Sequence, residues 1–503
     1  MYKYGSSFTG ASGRAPSDPS DELRIAITFP RPDGGPGLTK FAAPLSLEGV
    51  KGFIPDPLAV DKALYELGRL GFTLTKRGRL TASMRCRRSD FEKVFGTRLS
   101  KVDLDPSQAY AFHSLYYPSE GAAWNPTAAV SSLIDDAYIQ WPHIYMCLRR
   151  LGSAARPPEV DYFHLGVPKD VPAYLNADKV ISAGTTGRGV RIVMVDSGFA
   201  HRDHPFFAAN GFASTVDLAP RATNDRTDPN GHGTGESANV FSVAPGAAFI
   251  GVKVDNDADP RGGASLLEGF QTALEHRPDI ITISMGYDLR DGAGQLRELP
   301  NGLAPLEAEI QAAVASGIVV IFSAGNGHFS FPGMMPDVIS AGGAFVDENG
   351  AMRASDYASA FNSRIYSGRS VPDFCGLVGM LPHARYIMLP VPSGSEIDRD
   401  CAASSGGDPG DGTKTDDGWG VFSGTSAAAP QLAGVCALLL EKNPSLSPLD
   451  IKAILRSTAR DVRVGSANPA SSDDMRTPVE AGPGDDGATG AGLVDAFAAW
   501  KST

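Results

Sequence analysis

The 503-residue sequence has only five cysteines and no framework to pair them. Cys86, Cys147, Cys375, Cys401 and Cys436 are scattered, odd in number and without a CxxC pair. That pattern excludes a disulfide-stapled scaffold and predicts reduced thiols. No apolar run approaches about 18 residues, so no transmembrane helix and no membrane partner is expected. The opening residues, MYKYGSSFTGASGRAPSDPSDE, lack the apolar stretch of a secretory signal. A cytoplasmic location follows as the expectation, or export if a signal was trimmed. Positive charge is also short. The net charge is −12, which argues against a nucleic-acid partner. The shortage is uneven, because residues 61–103 carry 11 Lys/Arg against 5 Asp/Glu. Two domains of opposite charge would attract each other.

A chain of this length is expected to hold more than one core. Residues 1–22, rich in Gly, Ser, Pro and Asp, read as a disordered tail. Over 23–142 the pattern is strand, helix, strand, strand, helix, strand: LRIAITF, DPLAVDKALYELGRLGF, FTLT, RLTASMRC, SDFEKVFG, RLSKVDL. That is the order of a ferredoxin-like α+β module. Residues 143–180 read as a linker. From 181 to 503, short β-branched runs (VRIVMVDSG, AAFIGVKV, DIITISMG, GIVVIFSAGNG) alternate with helical stretches. This predicts an α/β domain, a parallel sheet covered by helices on both faces. In such sheets chemistry gathers at the C-terminal ends of the strands.

Three polar residues lie at element termini. Asp196 closes the first strand in MVDSGFAHRDHP. His232 lies between glycines in PNGHGTGESANVFSVAP, at a helix start. Ser426 opens an apolar helix in VFSGTSAAAPQLAGVCALLL, where Pro is tolerated near the start. Ser becomes a nucleophile when a His accepts its proton and a carboxylate fixes that His. Asn326, in FSAGNG, could donate its amide to an oxyanion, with the Ser426 N–H as second donor. His201 and His204 are expected to be structural.

These motifs in this order resemble the subtilisin-like serine proteases over roughly residues 165–500. The resemblance implies a subtilisin-like fold, a triad of Asp196, His232 and Ser426, and Asn326 in the oxyanion hole. It implies that Ser284, Met285 and Gly286 form the edge that binds substrate. The residue after Ser426 is Ala427, where the family often has Met, and Gln431 replaces a frequent His. Residues 23–142 resemble the prodomain of sedolisin (kumamolisin-type) proteases through FEKVFGT and the element order. The implied function is a serine endopeptidase acting on polypeptides, with its own N-terminal domain as intramolecular chaperone and inhibitor. A transamidating or macrocyclising enzyme could use the same acyl-enzyme, and a constitutively inhibited regulatory binding protein would keep the cleft filled. No cofactor and no catalytic metal is called for. Structural calcium occurs among subtilisin relatives, but DNDAD (255–259) and DPGDGTKTDD (408–417) lack an EF-hand spacing and read as solvated acidic loops.

Overall fold

The two largest sheets of the described residues are an antiparallel one of four strands and a mainly parallel one of eight. The computed structural model describes residues 21–38, 45–104, 112–145, 163–291, 294–382, 384–404, 410–470 and 477–503. The expected tail therefore lies outside the described residues up to residue 20, and Glu22 already begins a strand.

The N-terminal elements are β1 (Glu22–Thr28), α1 (Pro57–Arg69), β2 (Thr73–Arg77), β3 (Thr81–Arg87), α2 (Arg88–Phe95), β4 (Leu99–Asp103), β5 (Ser114–Pro118), β6 (Asp136–Ile139) and β7 (Ile144–Tyr145). Asp56 caps α1 by accepting from the Ala59 N–H, and Pro57 supplies a preset first turn. Gly96 ends α2 at φ +57°, where a Cβ would lie 2.5 Å from the Asn125 carbonyl oxygen. Leu23, Ile25 and Ile27 on one face of β1 pack with Met84, Phe91 and Phe95. The strand order is β2-β3-β1-β6, antiparallel throughout. The fourth strand is not RLSKVDL, as its pattern suggests. That segment forms β4 and pairs with β5 as a separate hairpin, while DAYI, in a less regular stretch, takes the edge beside β1. A four-residue strand with two half-buried positions leaves little period to read.

The large sheet begins after residue 163, with β8 (Leu165–Gly166), α3 (Asp170–Tyr174), α4 (Ala177–Ser182), β9 (Arg191–Asp196), β10 (Ser214–Leu218), α5 (His232–Val243), β11 (Ala248–Lys253), α6 (Leu266–Glu275), β12 (Ile280–Ile283), β13 (Met285–Asp288), α7 (Ala304–Ala315), β14 (Val319–Ser323), β15 (Ser330–Phe331), β16 (Ile339–Val346), β17 (Met352–Ala354), β18 (Phe374–Leu377), β19 (Ile387–Pro390) and α8 (Thr425–Lys442). Strands run in the order β10-β11-β9-β12-β14-β16-β17, with β18 also on β16. All these pairs are parallel except β16 with β17. Alternate residues of β9 feed two cores. Ile192 and Met194 pack under α5 and α8, and Val193 and Val195 pack under α6 and α7. Burial on both faces is what makes these strands continuously apolar.

The stretch 143–180 is a linker only in part. Leu165, Val171, Leu175, Ala177 and Val180 are buried in the large core, and β8 pairs in parallel with β19. Prolines and single-turn helices hide this from a periodicity reading. Residues 146–162 lie outside the described residues.

The N-terminal sheet lies against α6 and α7. Glu309 of α7 is buried and accepts four hydrogen bonds from the β2–β3 turn: Arg79 N (3.0 Å), Leu80 N (3.0 Å), Thr81 N (2.9 Å) and Thr81 Oγ1 (2.9 Å). Gln271 of α6 bonds Ser83 and Thr81. Of the basic face, Lys76 reaches Glu275 and Arg85 reaches Glu268, whereas Arg77 pairs with Asp61 of α1 in its own module. The charge asymmetry is thus spent partly across the contact and partly within the module.

Candidate functional site

Asp196 closes β9 and His232 is the first residue of α5. Two glycines bring them together. Gly231 turns the chain at φ +96°, and a Cβ on Gly233 would sit 2.3 Å from the Gly198 carbonyl oxygen and 2.9 Å from Asp196 Cβ. Asp228 pins the helix start by accepting from Gly231 N (3.0 Å), Thr234 N (2.9 Å) and Thr234 Oγ1 (2.7 Å). His232 Nδ1 then lies 2.8 Å from Asp196 Oδ1, with both side chains fully buried. Burial disfavours the imidazolium. The adjacent Asp196 charge and hydrogen bond, with Glu236 and Asp228 behind them, outweigh that and hold the His232 pKa above its ordinary value.

Ser426 is the second residue of α8 and is 1% exposed. Its Oγ has no hydrogen-bond partner among the described residues. Pro430 falls inside α8, not in its first turn. It has no N–H to give the carbonyl of Ser426 four residues back. Ser284 fills the gap, its Oγ donating to the Ser426 carbonyl oxygen at 2.9 Å.

Asn326 follows β14. Its Oδ1 accepts from Thr425 N (2.9 Å) and Thr425 Oγ1 (3.0 Å), while Thr425 Oγ1 accepts from Gly325 N (3.1 Å). The carbonyl end of the amide is thereby fixed, and its NH₂ end is the donor end that faces the start of α8. A Cβ on Gly424 would fall 2.6 Å from Asn326 Nδ2, so only glycine allows this approach.

Met285 and Gly286 lie in β13, and all three residues expected at the substrate edge are buried. One edge of β13 pairs with β15. The other pairs antiparallel with β7, Met285 opposite Tyr145 and Gly286 opposite Ile144. The chain's own residues 144–145 therefore lie as a strand on the edge where a substrate was expected.

His201 and His204 stand apart from this site. His201 bonds Ser214 and Ser237 (2.6 and 2.7 Å), and His204 bonds the Gly418 carbonyl (2.8 Å). Burial pushes His201 down to about 3 and also lowers His204. Among the described residues no group of three or more His, Cys, Asp or Glu gathers to hold a metal. In the acidic loops, Asp257 bonds Lys253 and Thr227, and Asp411 bonds Thr413 and the Val421 N–H. No helix of the described residues is long and apolar enough to cross a membrane. Cys86, Cys375, Cys401 and Cys436 are buried and unpaired, and Cys147 lies outside the described residues.

Two residues of the site went unread in the sequence. Thr425 orients Asn326, and Glu236 is buried one turn after His232. The signal for Glu236 was present as a lone charge four residues on, in a helix otherwise of small, polar and apolar residues.

Comparison with known proteins bears on this arrangement. A profile described as Peptidase_S8, Subtilase family, matches residues 187–492. Serine protease AprX of Bacillus subtilis is 31% identical over 315 residues, covering 56% of this chain and 64% of AprX. Subtilisin E of the same organism is 27% identical over 301 residues, covering 57% of this chain and 64% of that protein. The chain thus spans about 64% of the length of these relatives. Among solved structures, fervidolysin from Fervidobacterium pennivorans, titled a keratinolytic enzyme related to subtilisin, superposes with a TM-score of 0.56 at 17% identity. That match covers 95% of this chain and 61% of fervidolysin, and it speaks to fold alone.

Proposed function

The chain belongs to the Subtilase family, and from that premise we propose that it is a serine endopeptidase whose N-terminal sheet acts as an intramolecular inhibitor. The observation that carries the activity is the buried Asp196–His232 hydrogen bond, at the start of a helix that packs against the helix opened by Thr425 and Ser426, where Asn326 is bound. Asp196 holds His232 with its proton on Nδ1, leaving Nε2 as the base. Ser426 Oγ attacks the scissile carbonyl as His232 takes its proton, and the imidazolium returns that proton to the leaving amine. Asn326 Nδ2 and the Ser426 N–H donate to the oxyanion. Water then releases the acyl group.

The inhibitor reading rests on β7. A substrate adding to β13 as a strand would need the edge that Ile144 and Tyr145 fill. The strand order β2-β3-β1-β6 supports a ferredoxin-like module over 23–142. A sedolisin-type kinship for it rests on the FEKVFGT segment and the element order. The peptidase domain would then start near residue 163, where the large core begins, rather than at 181. A reducing, cytoplasmic setting suits the four unpaired buried thiols.

The test is incubation of the purified chain with an unfolded protein, beside its Ser426→Ala variant. Fragments from the first and none from the second support hydrolysis. Ligated or cyclised products would favour transamidation. No product from either, with the chain uncut, would favour a permanently filled cleft.

A further inference from the structure

His232 has a second carboxyl beside it. Glu236 lies one turn further along α5, with its Oε1 4.0 Å from His232 Nε2, on the opposite side of the ring from Asp196. Glu236 is fully buried, and its Oε1 has no hydrogen-bond partner among the described residues. The other oxygen is anchored. Asn239 Nδ2 donates to Glu236 Oε2 at 2.9 Å, and Asn239 Oδ1 accepts from Gln431 Nε2 at 3.3 Å. Gln431 is held in turn by Leu377, accepting from its N–H at 2.7 Å and donating to its carbonyl at 3.2 Å. A buried polar chain thus runs from the serine helix to the histidine helix and ends 4.0 Å from His232 Nε2. Replacing the family's frequent His by Gln431 acquires a physical use here, since an amide can donate to Asn239 and accept from Leu377 at once.

We propose that Glu236 is a positioning residue for the base: its buried carboxyl, anchored by Asn239 and 4.0 Å from Nε2, sets by its charge the pH at which His232 can accept the proton of Ser426. The inference rests on the endopeptidase reading only for its catalytic consequence. The electrostatic coupling belongs to the pair itself.

The groups facing the pair are few. From β9 there is Asp196, and from the turn before α5, Asp228. After β9, His201 touches α5 through Ser237 and is neutral. On α8 the ionisable groups are Cys436, its thiol pushed up to about 12 by burial, and at the far end Glu441 and Lys442, engaged by the 186–188 amides and the Trp500 carbonyl. From α3, Asp170 is engaged by the Gly166 N–H, and the phenol of Tyr174 is raised by burial. The adjacent β19 offers no ionisable side chain. Burial pushes the Glu236 carboxyl well above its ordinary value, with the nearby His232 charge pulling it back. An ionised Glu236 favours the imidazolium, which is the inactive form of the base. Removing the carboxyl therefore makes neutral His232 available at lower pH.

The experiment has two arms. In the full-length Ser426→Ala chain, where self-cleavage is blocked, NMR follows the His232 ring from pH 5 to 10. The expected titration has two coupled steps, both above the usual histidine range near 6.5. Adding Glu236→Gln, which can still accept from Asn239, should leave one step and lower the midpoint by at least about half a pH unit. In the second arm, kcat/KM of the active chain is measured over the same range. The acidic limb should move down by the same amount with KM nearly constant, and Glu236→Asp should restore part of the shift. A structural role alone would not move the limb. Should Glu236→Gln fail to fold, the unsubstituted arm still decides: a single His232 step near 6.5 overturns the proposal. So does an unchanged midpoint in the Gln variant. A chain that shows the coupled titration yet cleaves nothing would instead overturn the endopeptidase reading.

Discussion

The hydroxyl of Ser284 donates to the main-chain carbonyl of Ser426 across 2.9 Å, supplying the hydrogen bond that Pro430 cannot. The bond ties the expected substrate edge to the first turn of the serine helix. Ser284→Ala would leave a buried carbonyl unsatisfied. The expected loss is about 1–3 kcal/mol of stability, read from the denaturant midpoint, with the slope unchanged. A stability equal to the parent's would mean that water or a shifted backbone replaces the hydroxyl.

Ser426→Ala should abolish hydrolysis and any self-processing in a protease-deficient host, because no acyl-enzyme can form. His232→Ala should lose comparably. The double variant should be little worse than either single one, since the groups act as a unit. Losses that simply add would contradict a shared mechanism.

Asn326→Ala should lower kcat by roughly 10²–10³-fold and leave KM nearly unchanged, because the donor meets charge that exists only in the transition state. Thr425→Val keeps the amide but removes the hydroxyl donor to its Oδ1. A loss of roughly fivefold, the kinetic equivalent of about 1 kcal/mol, is expected. An increase in KM alone would reassign Asn326 to substrate binding.

Glu309→Ala strips four donors of the β2–β3 turn of their shared acceptor, at a contact buried between the two sheets. Gly78→Ala should act alike, because its Cβ would sit 1.9 Å from Glu309 Oε1. Both variants should lose latency at lower denaturant than the parent, measured as the onset of peptide hydrolysis. Unchanged onset in both would show that the N-terminal sheet is held elsewhere.

Dithiothreitol should leave activity and melting temperature nearly unchanged, as four buried unpaired thiols imply. A drop of several degrees would point to a bridge involving Cys147.

The large sheet was legible because its strands are buried on both faces and end in small polar residues. VDSG and SAGNG marked those ends without any structural help. Asp196 and Asn326 stood out for the same reason, and His232 and Ser426 as polar residues beside glycines at helix starts. What escaped was non-local. The edge strand at 136–139 is chosen by its pairing with β1, not by its own pattern. Residues 165–182 belong to the large core through tertiary packing that short, proline-broken segments do not announce. Thr425 and Glu236 could be named as neighbours of the motifs, but their roles depend on where Asn326 and His232 point.

Because Ile144 and Tyr145 lie on β13 while still joined to the same chain, occupancy of that edge is a unimolecular matter. A tethered two-residue strand competes at an effective concentration on the order of millimolar, whatever the protein concentration. Diluting the intact chain cannot free the edge. One cut between residues 145 and 163 turns that fixed local concentration into the bulk concentration of a separable piece, and occupancy then falls with dilution. Such a cut would make protein concentration, and no longer the fold, the variable that decides how long the edge stays filled.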